Sequence, residues 1–116
     1  MPSTSSVRDL TSRPDWTEAR EASHDAPVLI FKHSSACPIS GRANRQMAML
    51  DEPDDLPVYR VVVQDARDVS SAIASDLGVP HETPQAIVLD DGEAVFDASH
   101  YGITAEAIRE AAPTSQ

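Results

Sequence analysis

The sequence contains a single cysteine, Cys37, in a local setting that favours thiol chemistry. Cys37 follows an apolar run and a short polar loop, and it directly precedes Pro38, a residue type suited to the first turn of a helix. A thiol at a helix start faces unpaired backbone N–H groups and the positive end of the helix dipole, and both favour the thiolate. Since the thiolate is the attacking species in disulfide exchange, this position predicts a nucleophile. The alternative is a buried structural thiol.

Three polar residues near Cys37 are candidates to modulate its sulfur. Ser40 lies three residues further on, so its hydroxyl could reach back towards the thiol. Lys32 and His33 stand just before the loop, and either could add positive potential. Two alternatives stay open: the side chain of Lys32, the only lysine in the chain, could point to solvent, and His33 could be a solvated loop histidine.

The elements that must position these residues alternate between helix and strand. Asp15 and Glu18 have capping-box spacing and predict a helix over roughly 16–24. The apolar run 28–31 predicts a buried strand, and apolar residues at helical spacing after Cys37 predict a helix. The remaining predicted elements are a strand at 58–63, a helix over 69–77 that ends at Gly78, strands at 85–89 and 93–96 around an Asp91-Gly92 turn, and a helix from Thr104 to about Ala112.

This order predicts an α/β fold. The crossover helix makes the first two strands parallel, and the hairpin adds two antiparallel strands. We expect a mixed four-stranded sheet flanked by helices, and this is a thioredoxin-like architecture. If the four predicted strands are numbered along the sequence, analogy to that fold places them in the order 2-1-3-4 across the sheet. We expect a flexible N-terminal segment at 1–13, one domain over 14–112 and a C-terminal tail at 113–116.

The dipeptide Thr83-Pro84 directly precedes the third predicted strand. Proline is tolerated at the first residue of a strand, and bonds that precede proline can be cis. In a thioredoxin-like layout this proline faces the Cys37 loop. We expect a cis bond there, with the backbone of Thr83 available to pair with an extended substrate. His81 could also face this site, and the alternative for His81 is a solvated loop histidine.

Composition excludes several classes of function. With a net charge of -10 in 116 residues, nucleic acid is not an expected partner, because binding phosphates requires clustered Lys and Arg. An acidic surface with one lysine is typical of salt adaptation and also of ordinary acidic proteins. One cysteine allows no intrachain disulfide, and no apolar run has the length of a signal peptide or a membrane span, so we expect a cytoplasmic protein without a membrane partner. The four histidines lack metal-ligand spacing, so we expect neither a metal nor a cofactor.

Two segments carry a resemblance to a known family. The segment FKHSSACPIS at 31–40 resembles the active-site stretch of the YtxJ-type proteins of the bacillithiol system, also called monothiol bacilliredoxins. The segment HETPQAIV at 81–88 resembles the cis-proline segment of that family, and the resemblance covers roughly residues 12–112. Ala36 stands where a polar residue is expected.

The resemblance implies a thioredoxin-like protein that removes bacillithiol from protein mixed disulfides. Cys37 would be the nucleophile, Ser40 would occupy the place of a resolving cysteine, and Pro84 would be the cis-proline. The expected partners are bacillithiol or a similar small thiol and bacillithiolated proteins. The candidate catalytic residues are Cys37, Pro38 and Ser40, and the candidate substrate-binding residues are Lys32, His33, Thr83 and Pro84. Two alternatives stay open: a non-catalytic adaptor that binds proteins through the Thr83-Pro84 surface, and a redox sensor capped by small thiols.

Overall fold

The computed structural model describes residues 7–34, 38–50 and 56–111. The strands are β1 (Val7–Asp9), β2 (Val28–His33), β3 (Val58–Val62), β4 (Gln85–Asp90) and β5 (Glu93–Ser99). The helices are α1 (Arg13–Ala22), α2 (Pro38–Ala48), α3 (Arg67–Leu77) and α4 (Ala105–Ala111), with a short 3-10 helix at His100–Gly102. Across these described ranges, no helix combines the length and the apolar character needed to cross a membrane.

The sheet has five strands in the order β1-β3-β2-β4-β5. Strand β2 pairs with β3 in parallel and with β4 antiparallel, and a hairpin joins β4 to β5. The turn residues Asp91 and Gly92 both have positive φ angles, 57° and 79°, as a two-residue hairpin turn requires. The α/β class and the predicted strand order, which is β3-β2-β4-β5 in the structure, are confirmed. The expected count of four strands is wrong, because β1 adds a parallel edge strand beside β3.

Strand β1 lies within the segment that was predicted to be flexible. Its backbone pairs with β3, and the next residue, Leu10, is buried and donates its N–H to the carbonyl of Arg60 at 2.7 Å. The guanidinium of Arg60 also donates to Asp9 at 2.9 Å. Because β1 has three residues and one apolar side chain, hydrophobic alternation could not reveal it.

Helix α1 begins at Arg13, three residues earlier than predicted, because its N-cap is Ser12. Ser12 accepts a hydrogen bond from the Asp15 N–H at 3.3 Å, so the predicted cap at Asp15 is wrong. The Asp15 carboxylate instead accepts from the N–H and the hydroxyl of Thr11, and these hydrogen bonds lower the pKa of Asp15. Trp16 is buried and donates to Asp76 of α3 at 2.8 Å, so it anchors α1 against α3.

The two faces of the sheet carry separate hydrophobic clusters. Side chains alternate along a strand, so neighbouring β2 residues enter different clusters. Helices α1 and α3 cover one face, here the α1/α3 face, where Ile30 and Ile73 are buried. Helices α2 and α4 cover the other, the α2/α4 face, where Phe31, Met47 and Ile108 are buried. Strand β2 is therefore buried on both sides, as its unbroken apolar run predicted.

The predicted end of α3 and the predicted start of α4 are confirmed. Gly78 caps α3 with a φ of 67°, and its N–H donates to the carbonyl of Ala74 at 2.9 Å. The Thr104 hydroxyl accepts from the Ala107 N–H at 3.0 Å at the start of α4.

Candidate functional site

The candidate site lies where the carboxyl end of β2 meets the start of β4. Strands β2 and β4 pair antiparallel, and their last residue pair is Lys32 with Gln85. Strand β2 ends one residue later, at His33. The Thr83–Pro84 bond directly precedes Gln85 and is cis, and Pro84 is buried. The Thr83-Pro84 turn therefore lies beside the end of the strand that leads towards the cysteine.

The predicted nucleophile, Cys37, lies outside the described residues. Helix α2 begins at Pro38, directly after Cys37 in the sequence, so the prediction that this proline opens a helix is confirmed. Ser40 belongs to the first turn of α2. The loop after β2 is tied to the loop after β3 by a hydrogen bond from the Gln64 amide to the Ser34 hydroxyl at 2.8 Å. The proposed roles of Cys37 and Ser40 stay predictions.

Lys32 is fully buried, with 0% of its surface exposed. It lies on the α1/α3 face, because β2 alternates and its neighbour Phe31 belongs to the α2/α4 face. The alternative that Lys32 points to solvent is therefore wrong. Within the described residues, no carboxylate lies within ion-pair distance of its ammonium. Burial lowers the pKa of Lys32 from 10.5 to about 8, because an apolar environment disfavours the charged form.

The ammonium of Lys32 contacts a histidine that the sequence left as a minor candidate. Its Nζ lies 3.2 Å from Nδ1 of His81, and the Ser70 hydroxyl lies 3.3 Å from the same nitrogen. On the other side of the ring, Nε2 lies 3.2 Å from the hydroxyl oxygen of Thr83. Since an ammonium can only donate, Nδ1 accepts, and Nε2 carries the proton and donates to Thr83. We call these three residues the Lys32–His81–Thr83 chain.

The imidazole of His81 is neutral near pH 7. Desolvation lowers the pKa of His81, and the positive charge of Lys32 lowers it further. Glu82 acts in the opposite direction and does not cancel these effects. A neutral imidazole accepts a proton at one nitrogen and donates at the other, so His81 can connect two groups that do not touch.

Gln85 holds the turn that carries His81. Its side chain is buried, and its amide donates to the carbonyl of Pro80 at 3.0 Å. The Oε1 atom of Gln85 has no hydrogen-bond partner in the part of the chain that the structure describes. Gln85 and Ser70 were not predicted as site residues. The available signal was a polar residue at one end of each of two apolar runs: Lys32 follows the run 28–31, and Gln85 precedes the run 86–89.

His33 lies on the opposite face of β2 from Lys32. Its ring is half-buried and packs against Phe31 with the ring centroids 5.7 Å apart. Of the two basic candidates before the loop, only Lys32 joins the chain with His81. The expected substrate contact of His33 stays a prediction.

An open groove of about 770 Å³ borders the Lys32–His81–Thr83 chain. It lies between α3 and the turn that follows it. Its lining includes Val63, Arg67, Ser70, Ala74, Val79 and His81. Because Ser70 and His81 belong both to this lining and to the hydrogen bonds around Lys32, a molecule in the groove would have access to His81.

The arrangement of sheet and helices defines the thioredoxin fold. A thioredoxin-fold protein to which an oxidoreductase role is attributed has a similar solved structure, with a TM-score of 0.82 and 32% identity over 90% of this chain and 92% of that chain. Thioredoxin from Malassezia sympodialis gives a TM-score of 0.74 at 16% identity over 96% of this chain and 90% of its own. A mutant thioredoxin from Halobacterium salinarum gives 0.70 at 19% identity over 100% of this chain and 99% of its own.

Within this fold, the chain belongs to the monothiol bacilliredoxin family. Residues 8–108 match the family described as monothiol bacilliredoxin BrxC. The resemblance of the segments around Cys37 and Pro84 is thereby confirmed at the level of the family, which supports a thiol–disulfide redox role.

Proposed function

We propose that this protein is a monothiol thiol–disulfide oxidoreductase that removes bacillithiol, or a similar small thiol, from protein mixed disulfides through Cys37. Family membership over residues 8–108 is the observation that carries this proposal. Two features support it: Cys37 directly precedes α2, and the cis Thr83–Pro84 bond lies beside the end of β2. A helix start favours the thiolate, and the thiolate is the reactive species.

The reaction takes two exchange steps. In the first, the Cys37 thiolate attacks the bacillithiol sulfur of the mixed disulfide, and the protein thiolate leaves. In the second, another small thiol attacks the bacillithiol sulfur now bound to Cys37 and restores the thiolate. Because the chain has one cysteine and Ser40 stands where a resolving cysteine would, the second thiol must come from outside the protein.

The candidate substrate-binding residues divide into direct and indirect groups. The backbone of Thr83 contacts the substrate next to Cys37, and His33 contributes from the α2/α4 face. Pro84 is buried and acts by supporting the backbone of Thr83. Lys32 is fully buried, so it influences the substrate through His81 without touching it. The partners are bacillithiolated proteins in the cytoplasm, where small thiols keep cysteines reduced.

A turnover assay tests this function. A model protein carrying bacillithiol on one cysteine is incubated with a substoichiometric amount of this protein and an excess of bacillithiol, and released protein thiol is measured. The same protein capped with glutathione or with coenzyme A gives the specificity for the small thiol. We expect many turnovers per enzyme with the bacillithiol substrate and none with Cys37→Ser. A Cys37 adduct without turnover would instead indicate a sensor, and binding without thiol reactivity would indicate an adaptor.

A further inference from the structure

Three of the four buried polar side chains in the described residues form one group beside the Thr83-Pro84 turn: Lys32, Ser70 and Gln85. Burying an ammonium is costly unless a counter-charge compensates it. Here, its hydrogen-bond partner is the neutral imidazole of His81. An apolar residue at position 32 would extend the hydrophobic cluster without this cost, so the packing of the fold does not explain the lysine.

We propose that Lys32 is the proton reservoir of the exchange reaction and is connected to the reacting sulfurs through His81 and Thr83. This inference rests on the proposed function. It makes Lys32 and His81 positioning and proton-transfer residues, and it makes the hydroxyl of Thr83 the group that meets the substrate.

The hydrogen bonds set the direction of transfer. Lys32 donates to Nδ1 of His81, and the Nε2 proton of His81 is donated to the oxygen of Thr83. The Thr83 oxygen therefore serves as the acceptor in this bond, and its own proton is available to a further acceptor. Thr83 directly precedes Pro84 beside the end of β2, the strand that leads in the sequence towards Cys37.

In the first exchange step, the S–S bond of the mixed disulfide breaks and a bond forms between Cys37 and the small-thiol sulfur. The departing protein thiolate takes the proton of the Thr83 hydroxyl. Nε2 of His81 replaces that proton, and Lys32 passes one proton to Nδ1. The products are a neutral protein thiol, the capped Cys37 and a neutral amine at Lys32.

In the second step, the proton moves in the opposite direction along the Lys32–His81–Thr83 chain. The incoming small thiol gives its proton to Thr83, and the proton reaches Lys32 through His81. The resulting thiolate attacks the capped sulfur, forms the small-molecule disulfide and releases the Cys37 thiolate. Over both steps one mixed disulfide and one small thiol become one protein thiol and one small-molecule disulfide, and Lys32 returns to its charged state.

The charged and polar groups around the Lys32–His81–Thr83 chain are compatible with proton transfer. The groups that face Lys32 and His81 come from α3, from β4 and from the turn before it: Ser70, Gln85, Thr83 and the carboxylate of Glu82. The pKa of Lys32, lowered to about 8, is close to the value of about 8.5 for an ordinary thiol. Since proton transfer is most effective between groups of similar pKa, Lys32 can both give and take the proton.

A leaving-group comparison tests the reservoir. One substrate is a mixed disulfide that releases an alkyl thiolate, which needs a proton, and the other releases an aromatic thiolate of low pKa, which does not. Single-turnover rates are measured for the wild type, Lys32→Met, Lys32→Arg, His81→Gln and the control Val95→Ala, an exposed side chain on β5 outside the groove. We expect Lys32→Met and His81→Gln to slow the alkyl substrate by about 100-fold and the aromatic substrate much less.

Lys32→Arg separates proton transfer from charge, because arginine keeps the positive charge but does not release its proton. We expect it to be as slow as Lys32→Met on the alkyl substrate, with the pH dependence of the rate near pH 8 lost in both. Wild-type rates for Lys32→Arg, or equal losses on both substrates, would overturn the reservoir. A wild type without activity on either substrate would overturn the proposed function itself, so the two failures are distinguishable.

Discussion

Phe31 and Lys32 are neighbours on β2, and neither exposes any surface, yet they are buried in opposite ways. Phe31 enters the α2/α4 face, where it belongs to the buried apolar cluster that includes Met47 and Ile108. Lys32 enters the α1/α3 face among Ser70, His81 and Gln85. The same strand therefore stabilises the fold on one side and carries a buried charge on the other.

The difference shows that the end of β2 is not optimised for stability on both faces. Burial of an aromatic ring is favourable in proportion to the apolar area removed from water, whereas burial of an ammonium is unfavourable. Proteins keep such unfavourable groups mainly where function needs them, and thiol sites are among those places. Stability and activity measurements on variants of the two faces test this difference.

The largest expected effect on stability is at Phe31, on the α2/α4 face. Phe31→Ala removes a fully buried ring and leaves a cavity, so we expect the free energy of unfolding to fall by about 3–5 kcal/mol. Urea unfolding at pH 7 measures it. Val95→Ala, at a side chain that is 52% exposed, is the control and should change stability by less than about 0.5 kcal/mol. A loss below about 1 kcal/mol for Phe31→Ala would contradict the assigned packing.

Lys32→Met should act in the opposite direction, because it removes the penalty of burying the ammonium. That penalty is reflected in the lowering of the pKa of Lys32 from 10.5 to about 8. Since each pKa unit corresponds to about 1.4 kcal/mol, we expect the free energy of unfolding to rise by about 3 kcal/mol at pH 7. The folded-state pKa of Lys32, about 8, lies below its ordinary value of 10.5, so the unfolded chain binds more protons between these values. The free energy of unfolding of the wild type should therefore increase, as far as Lys32 contributes, when the pH rises from about 8 to 10.5. Below pH 8 the full cost of burying the charged Lys32 remains.

The measurement is urea unfolding of wild type and Lys32→Met at several pH values from about 7 to 10.5. The difference between the two curves isolates Lys32, because other titrating groups contribute to both. We expect the advantage of the variant to shrink as the pH rises. Parallel curves over this range would show that the ammonium is not held at a lowered pKa.

Ser23 provides the comparison with a buried polar group that serves structure alone. Its hydroxyl donates to the carbonyl of Arg20 at 2.6 Å and accepts from the Gly92 N–H at 2.8 Å. Ser23→Ala leaves that N–H without its partner and should lower the free energy of unfolding by about 1–3 kcal/mol without changing exchange activity. The exposed Ser75→Ala serves as control. A change in the exchange rate of the folded Ser23 variant would argue against this separation of roles.

The smallest effect is expected at the edge strand. Asp9 and Arg60 pair at 2.9 Å, with 54% and 27% of their side-chain surfaces exposed. Asp9→Asn should lower the free energy of unfolding by less than about 1 kcal/mol, and added salt should reduce the difference, because exposed ion pairs are screened. Unfolding in low and high salt measures this effect, and a larger loss that is insensitive to salt would point to another role for Asp9.

The parts of the fold that follow from local patterns could be predicted. The apolar run of β2, Pro38 at the start of α2, Gly78 after α3 and the Asp91-Gly92 turn all carry short-range signals. Strand β1 could not be predicted, because its stability comes from pairing with β3 and burial of Leu10 and not from its own composition.

The candidate site could be predicted only where a local sequence pattern marks it. The Thr83-Pro84 turn carries a sequence signal, and the structure places it beside β2. The contact between Lys32 and His81 joins residues 49 positions apart, so no local pattern indicates it. A lysine at the end of an apolar strand is compatible with solvent exposure until the packing of α3 and the following turn is known.

The central claim is tested most directly by following the small thiol in a single turnover. Reduced protein is mixed with an excess of a bacillithiolated protein in the absence of other thiols, and intact masses are measured. The account predicts that bacillithiol moves to Cys37 and that the substrate protein appears as a free thiol. Bacillithiol released into solution with the two proteins joined by a disulfide, or an unmodified Cys37, would contradict it.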